Sequence, residues 1–384
     1  METSASRTAM YQYSEQTRAI TDTVRRLVDD FQMPLERRVL RGETLTRADR
    51  APGVRAAREA GLWGLSRPAN EGGSGLSMVD KLAITEINHR CLVPIRFGGS
   101  ALPPLYALQG EQRRRYLDPI LEGTLNYCFA QSEPDGGGDP AGAIRTRARR
   151  TEDGWVIDGS KIWISSFADA DVVFVLVRTD PQNRTGGISM IAVDKDNPGM
   201  VAREVPMLGT MVTHQLTFQD CRVDALSLIG EEGSGFKGAQ RTLSLARLDV
   251  GARALGIAQR CWEMMVEHAR QRRVFGELLA DLQETQSKVV DSWVEIQQNR
   301  LMLYAAAEKA DRGEDIRVEA GLVKMTCTEM CGRVIDRAIQ LHGAAGCTRE
   351  HPLAHWYAHQ RMARIYEGPT EVHKYRVLAR QLMQ

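Results

Sequence analysis

The sequence predicts an α+β multidomain protein with a helical N-terminal domain, a middle antiparallel β domain and a C-terminal helical bundle. Three observations predict it. Apolar residues recur at helical spacing near the start, short β-rich runs bounded by Asp, Gly, Asn and Pro replace that pattern from about Asn126, and the helical period returns after Gly238 and persists. The division that follows is 1–125, 126–238 and 239–384.

In the first block Ile20, Val24, Leu27, Val28 and Phe31 fall on one helix face, and further helices are expected around Val54–Ala60 and Met78–His89. Glu71-Gly72-Gly73-Ser74-Gly75 separates those two. In the second, Trp155–Ile157 and Lys161–Ile164 flank Asp158-Gly159, a dipeptide suited to the positive φ angles of a tight hairpin turn. Val172–Arg178, Ile188–Val193 and Leu216–Phe218 are the other strand candidates. In the third, Val289, Trp293, Ile296, Leu303 and Ala307 form one stripe, and long amphipathic helices with short connections make a bundle the economical arrangement.

Composition removes several function classes. The 384 residues carry 50 Lys+Arg against 49 Asp+Glu, a formal charge of +1, which gives no global field for nucleic acid or an anionic membrane. The longest apolar run, Val172–Val177, is far short of the roughly 20 residues that span a bilayer. Met1 to Arg7 shows no basic segment leading into an apolar core, so no secretory leader is expected. Seven cysteines without a Cys-x-x-Cys pair suit free thiols in a reducing compartment, and the cytoplasm is the expected location. Cys327 and Cys331, one helical turn apart, read as packing residues.

Two motifs carry competing readings. Gly233-Ser234-Gly235-Phe236-Lys237-Gly238 matches G-x-G-x-x-G, but a dinucleotide site needs a βαβ unit around it. Here the glycines close a β region and open a helical one, which favours a turn between domains. His351, His355 and His359 share a helix face at i, i+4, i+8, a spacing that metal ligands on a helix also use. Pro352 follows the first of them and no His-Glu-x-x-His occurs, which favours a polar face, and no metal is expected.

A third constellation is spread along the chain. Phe129-Ala130-Gln131-Ser132-Glu133-Pro134-Asp135-Gly136-Gly137-Gly138 enters the β region as a loop whose backbone N–H groups and hydroxyl are sterically open to a flat, polar-edged ligand. Trp163-Ile164-Ser165 adds an aromatic surface beside a hydroxyl, and Arg272-Arg273-Val274-Phe275-Gly276 adds guanidinium groups suited to a pyrophosphate. With Gln283, Gln340 to Gly346 and Ile365-Tyr366-Glu367-Gly368 in this order, the chain resembles the acyl-CoA dehydrogenase family from about Arg58 to Arg380.

The resemblance implies FAD as cofactor and an acyl-CoA thioester as substrate, with α-proton abstraction and β-hydride transfer producing an α,β double bond. Glu367 matches the family's catalytic glutamate. A subset of the family places its base immediately before an arginine matching Arg247, where this chain has Ala246, which accepts no proton. Arg247, Tyr366 and Gly368 are implied substrate-site residues, and the backbone N–H of Glu367 with a flavin ribityl hydroxyl is implied to hold the thioester oxygen. Phe129, Gln131, Ser132, Gly137, Gly138, Trp163 and Ser165 are implied flavin contacts. Arg272, Phe275, Gln283, Gln340 and Gly343 are implied to reach the flavin's adenine and phosphate end from a neighbouring subunit of a homotetramer, and Ala344 is a further implied cofactor residue. An electron-transfer flavoprotein is the implied electron acceptor.

The sequence departs from the family pattern at a few points. Gly138 stands where serine is common, Pro369 where threonine is usual, and Ala344 where a glycine is. One extra residue separates Glu367 from Arg380, so Arg376 and Arg380 compete for the motif's last arginine. The competing functional expectations are the same fold acting on a carrier-protein-tethered acyl group or as an oxidase or monooxygenase, and a flavin-free binding or scaffold protein.

Overall fold

The computed structural model describes residues 10–183 and 186–383; Met1 to Arg7, read above for a leader, lie outside them. The chain falls into two compact units, one comprising 1–62, 75–97 and 244–384, the other 63–74 and 98–243.

The first unit is helical. It contains α1 (Glu15–Leu27), α2 (Met33–Leu40), α3 (Arg47–Glu59) and α4 (Met78–Asn88). The capping boxes Thr46/Asp49 and Ser77/Asp80 fix where α3 and α4 begin, because each side chain satisfies a backbone N–H that the first turn leaves open. The core of this unit gathers Leu82 and Ala83 of α4 with Leu255, Ala258 and Cys261, Leu303 and Ala307, and Val323, Cys327 and Val334. Among these lies a buried polar knot. Arg300 donates from Nη2 to Glu86 Oε1 at 2.7 Å, and the Tyr304 hydroxyl donates to Glu86 Oε2 at 2.9 Å. Apolar periodicity gives no sign of this knot.

The second unit carries the short helices α5 (Gly110–Gln112), α6 (Asp118–Glu122) and α7 (Pro140–Ala143) and is built on an eight-stranded sheet with strands β1 (Tyr127–Ala130), β2 (Arg147–Arg150), β3 (Gly154–Ile164), β4 (Val172–Arg178), β5 (Ile188–Asp194), β6 (Met200–Pro206), β7 (Val212–Asp224) and β8 (Leu228–Ile229). The path runs β6-β7-β3-β2-β4-β5-β8, with β1 also on β4. Most pairs are antiparallel, whereas β1 and β2 run parallel to β4. β4 is buried along almost its whole length because both of its faces are covered. Val172, Phe174 and Leu176 pack with Leu117 and Leu121 of the preceding helical segment, and Val173, Val175 and Val177 pack with Trp155, Ile157 and Leu216.

The expected hairpin at Asp158-Gly159 does not form. Residues Gly154–Ile164 are one strand, paired with β2 and β7, and the dipeptide makes an irregularity in the β7 register between Ile157 and Gly159. The physical reason is tertiary. Gly159 has φ +144, and a Cβ there would lie 2.6 Å from Thr146 Cα, so the positive φ serves a close backbone approach instead of a turn.

The helical period resumes with α8 (Gly235–Gln271), whose first turns belong to the sheet unit, and continues in the helical unit. A small hairpin of β9 (Arg273–Val274) and β10 (Glu277–Leu278) follows, then α9 (Gln283–Asp311), α10 (Arg317–His342), α11 (Pro352–Ala363), α12 (Thr370–Val372) and α13 (Ala379–Leu382). Between α12 and α13, residues His373–Leu378 form a π-helical turn, closed by the Ala379 N–H reaching the Lys374 carbonyl five residues back. The Gly233-x-Gly235 segment is a close-approach turn, because a Cβ on Gly235 would meet the backbone of Ser189 and Met190 at 2.7–2.8 Å. No helix among the described residues is long and apolar enough to cross a membrane.

Candidate active site

In the helical unit the sequence candidates meet at the turn after α11. Ile365 and Tyr366 close α11 through hydrogen bonds to the Met362 carbonyl, and the chain then adopts φ +54 at Glu367 and φ +97 at Gly368. A left-handed conformation is ordinary for glycine and costly for glutamate, so the surrounding contacts must hold it. Two cations do so. Arg247 of α8 donates from Nε to the Glu367 carbonyl at 3.1 Å, and Lys324 of α10 donates from Nζ to the Gly368 carbonyl at 2.7 Å.

Glu367 is half-buried, and desolvation of its carboxyl pushes its pKa above the ordinary glutamate value. Arg247, Lys324 and Arg253 oppose the rise without cancelling it, and Asp249 adds to it. Lys324 has no exposed surface, and burial pulls its pKa down to about 8. Burial likewise pushes the half-buried Tyr366 hydroxyl up to about 12, so it stays protonated at neutral pH. His373 is fully buried beside Gly368, and among the described residues neither ring nitrogen has a hydrogen-bond partner in normal geometry. Burial, aided by Arg247 and Lys324, brings its pKa to about 4 and keeps the ring neutral. Below the turn, Thr370 donates to Glu329 at 3.0 Å, and Glu329 is paired with Arg364 at 3.1 Å.

In the sheet unit the structure joins two segments that are well separated in sequence. The Ile162 N–H donates to the Ser132 carbonyl at 2.9 Å, and Lys161 Nζ donates to the Gln131 carbonyl at 3.1 Å. The loop carrying Phe129, Gln131, Ser132, Gly137 and Gly138 is therefore tied to the strand end carrying Trp163 and Ser165. Lys161 and Glu133 form a buried ion pair at 2.8 Å beneath it, and Glu133 also accepts from the backbone N–H groups of Arg145 and Thr146 at 2.7 and 2.9 Å. Burial works against the Glu133 charge, but Lys161 and Thr146 more than offset it and hold its pKa below the usual value.

Trp163 has φ +63 and leaves half of its surface exposed. Ser132, Ser165, Gly137 and Gly138 are exposed as well, and a Cβ on Gly137 would meet nothing within 4 Å. An open indole face, two hydroxyls and unobstructed loop backbone suit a planar, polar-edged ring system.

The remaining candidates share one end of the helical unit. His268, one turn before Arg272, stacks on His342 at 4.3 Å, which brings the C-terminal ends of α8 and α10 together. Arg272, Phe275, Gln283, Gln340, Gly343 and Ala344 are all exposed there, and Phe275 is wholly exposed in a left-handed turn. The three spaced histidines do not converge on one point: His351 caps α11 and packs against His342 at 4.9 Å, His355 bonds the Arg349 carbonyl, and His359 faces Gln360. Among the described residues no cluster suits a metal. All seven cysteines are free thiols, and Cys347 is exposed.

Sequence profiles for the N-terminal, middle and C-terminal domains of acyl-CoA dehydrogenase match residues 14–124, 128–221 and 233–383. The (R)-benzylsuccinyl-CoA dehydrogenase of Thauera aromatica is 34% identical, with 95% of each chain covered. The chain belongs to the acyl-CoA dehydrogenase family. The short-chain specific acyl-CoA dehydrogenase of Mus musculus mitochondria is 32% identical over 84% of this chain and 80% of its own. Butyryl-CoA dehydrogenase from Megasphaera elsdenii superposes with TM-score 0.86 at 27% identity, covering 97% of this chain and 100% of that one.

This acyl-CoA dehydrogenase is thus an oxidoreductase of a family whose cofactor is FAD, and the open indole and loop of the sheet unit fit such a group. Sequence reasoning missed Lys324, His373 and the bracing role of Glu133 and Lys161. Lys324 left one signal, a lone cation in register with the buried Ala320, Cys327, Thr328 and Cys331 of α10.

Proposed function

We propose that this acyl-CoA dehydrogenase oxidises the Cα–Cβ bond of an acyl-CoA thioester, with Glu367 as the base. The observation that carries the reading is the desolvated Glu367 carboxyl, held in a left-handed turn by Arg247 and Lys324. The carboxylate takes the α-proton, and its raised pKa makes it a stronger base than an exposed glutamate. The Glu367 N–H donates to the thioester oxygen, which gains negative charge as the proton leaves. Tyr366, Gly368 and Arg247 line the same turn and shape its substrate side.

Phe129, Gln131, Ser132, Gly137, Gly138, Trp163 and Ser165 would hold the isoalloxazine end of FAD, Trp163 offering its open indole face. When bound, FAD would supply the acceptor for the β-hydrogen as hydride with its two electrons, while Glu367 takes the α-proton and Cα=Cβ forms. Arg272, Phe275, Gln283, Gln340, Gly343 and Ala344 face outward to the adenine and phosphate end of a neighbouring protomer's FAD. This fits a homotetramer, with an electron-transfer flavoprotein collecting the electrons. The domain limits 1–125, 126–238 and 239–384 are part of the same reading. The names of the relatives, short-chain and benzylsuccinyl thioester dehydrogenases, support CoA as the acyl carrier.

The test is an anaerobic panel of acyl-CoA thioesters of varied length and branching, followed by flavin bleaching. Glu367→Gln is expected to retain FAD and lose roughly 10²–10⁴-fold in reduction rate. Parental reduction by this variant, or a protein that stays colourless after FAD is added, overturns the reading.

A further inference from the structure

Lys324 is an expensive residue for a helix core. Its side chain has no exposed surface, its neighbours on the buried face of α10 are Ala320, Cys327, Thr328 and Cys331, and among the described residues its one hydrogen bond goes to the Gly368 carbonyl. Taking an ammonium out of water with no carboxylate in salt-bridge contact among the described residues disfavours folding, and a methionine of similar length would pack there without that cost. Stability therefore does not account for the charge.

The geometry does. The carbonyls of Glu367 and Gly368 are consecutive, and each is held by a cation, Arg247 on the first and Lys324 on the second. Both residues have positive φ, so fixing the two peptide planes fixes the direction of the Glu367 side chain in a conformation it would otherwise leave. Resting on the assignment of Glu367 as base, we propose that Lys324 is its positioning residue: it clamps the turn through the Gly368 carbonyl and supplies positive field that lets the carboxyl ionise in a desolvated setting.

The charges around this turn define what its removal does. From α8, Arg247 and Arg253 favour the Glu367 carboxylate and Asp249, bonded to Arg253 at 2.5 Å, disfavours it. From α10, Lys324 favours it, while Glu329 is occupied by Arg364 and Thr370. His373 lies against Gly368 as a neutral ring, Tyr366 is a neutral phenol, and Glu371 acts on Lys324. With Lys324 gone, burial meets less opposition and the carboxyl becomes harder to ionise.

The experiment uses FAD-loaded parent, K324M, K324Q, K324R and E367Q proteins. The infrared C=O band of a protonated carboxyl that E367Q lacks reports Glu367, and its pH midpoint needs no substrate. Removing a neighbouring cation is expected to raise that midpoint by about one unit in K324M and K324Q, with K324R close to the parent. The acid limb of flavin reduction by the fastest thioester of the panel moves the same way, and K324M melts no lower than the parent. K324Q retains a donor for the Gly368 carbonyl without the charge, and it carries the same readout if K324M does not fold. An unmoved midpoint in K324Q overturns the proposal while leaving the base assignment intact. Parental activity in E367Q overturns the base assignment, and the proposal with it, whatever the midpoints do.

Discussion

Lys161→Met is the sharpest test of how the sheet unit holds its loop. Lys161 is fully buried, 2.8 Å from Glu133 and 3.1 Å from the Gln131 carbonyl. Methionine fills nearly the same volume, so the loss is electrostatic: Glu133 keeps only its two backbone donors and faces the interior unpaired. Removing one partner of a buried pair costs about 3–5 kcal/mol, and the remaining Arg145 and Thr146 N–H bonds place this case near 3. At about 2–4 °C per kcal/mol for a unit of this size, the melting midpoint should fall by roughly 6–12 °C. Because the Gln131 carbonyl also loses its donor, FAD retention should fall together with Tm. The assay is a melt followed by circular dichroism, with flavin absorbance measured after gel filtration. Replacing both residues, Glu133→Gln with Lys161→Met, should recover part of the loss. An unchanged Tm with full FAD content in the single variant would refute the claim that this pair braces the loop.

Three further outcomes are expected. Gly368→Ala places a Cβ 2.9 Å from His373 Nε2 at φ +97, so it should keep FAD but reduce the rate of flavin bleaching by about 10²-fold through misplacement of the base, measured by stopped flow. Gly159→Ala forces a Cβ to 2.6 Å from Thr146 Cα at φ +144 and should destabilise by about 2 kcal/mol or more in urea titrations. The pH dependence of stability should carry a rising segment above about pH 8, because folding lowers the Lys324 pKa to about 8. Between there and the ordinary lysine value the unfolded chain binds the proton that the folded chain has released, so stability rises with pH, and K324M should lack that slope.

Legibility in the sequence followed the physical character of each feature. The strongly periodic helix Glu15–Leu27 and the apolar strand run Val172–Val177 were readable because burial writes its pattern into consecutive residues. Asp158-Gly159 misled because a positive φ serves a turn and a close packing contact equally well, and only Thr146, distant in sequence, decides between them. The motif residues of the candidate site were legible through resemblance, whereas their supports were not. Lys324, His373 and the Glu133–Lys161 pair act through tertiary contacts across tens of residues, and no local spacing encodes them. Glu86 and Arg300 were hidden for the same reason, since amphipathic counting treats a buried ion pair as two surface positions.

The wide turn at His373–Leu378 bears on the length mismatch near the C-terminus. A π turn stores one residue more than an α turn over a similar rise, so it works as slack in the backbone. Side chains beyond it keep the angular phase of a chain one residue shorter, whereas an unrelieved insertion would rotate them by about 100°. Glu367 lies upstream of this slack and Arg380 downstream, so one additional residue between them can be taken up without turning either end of the segment.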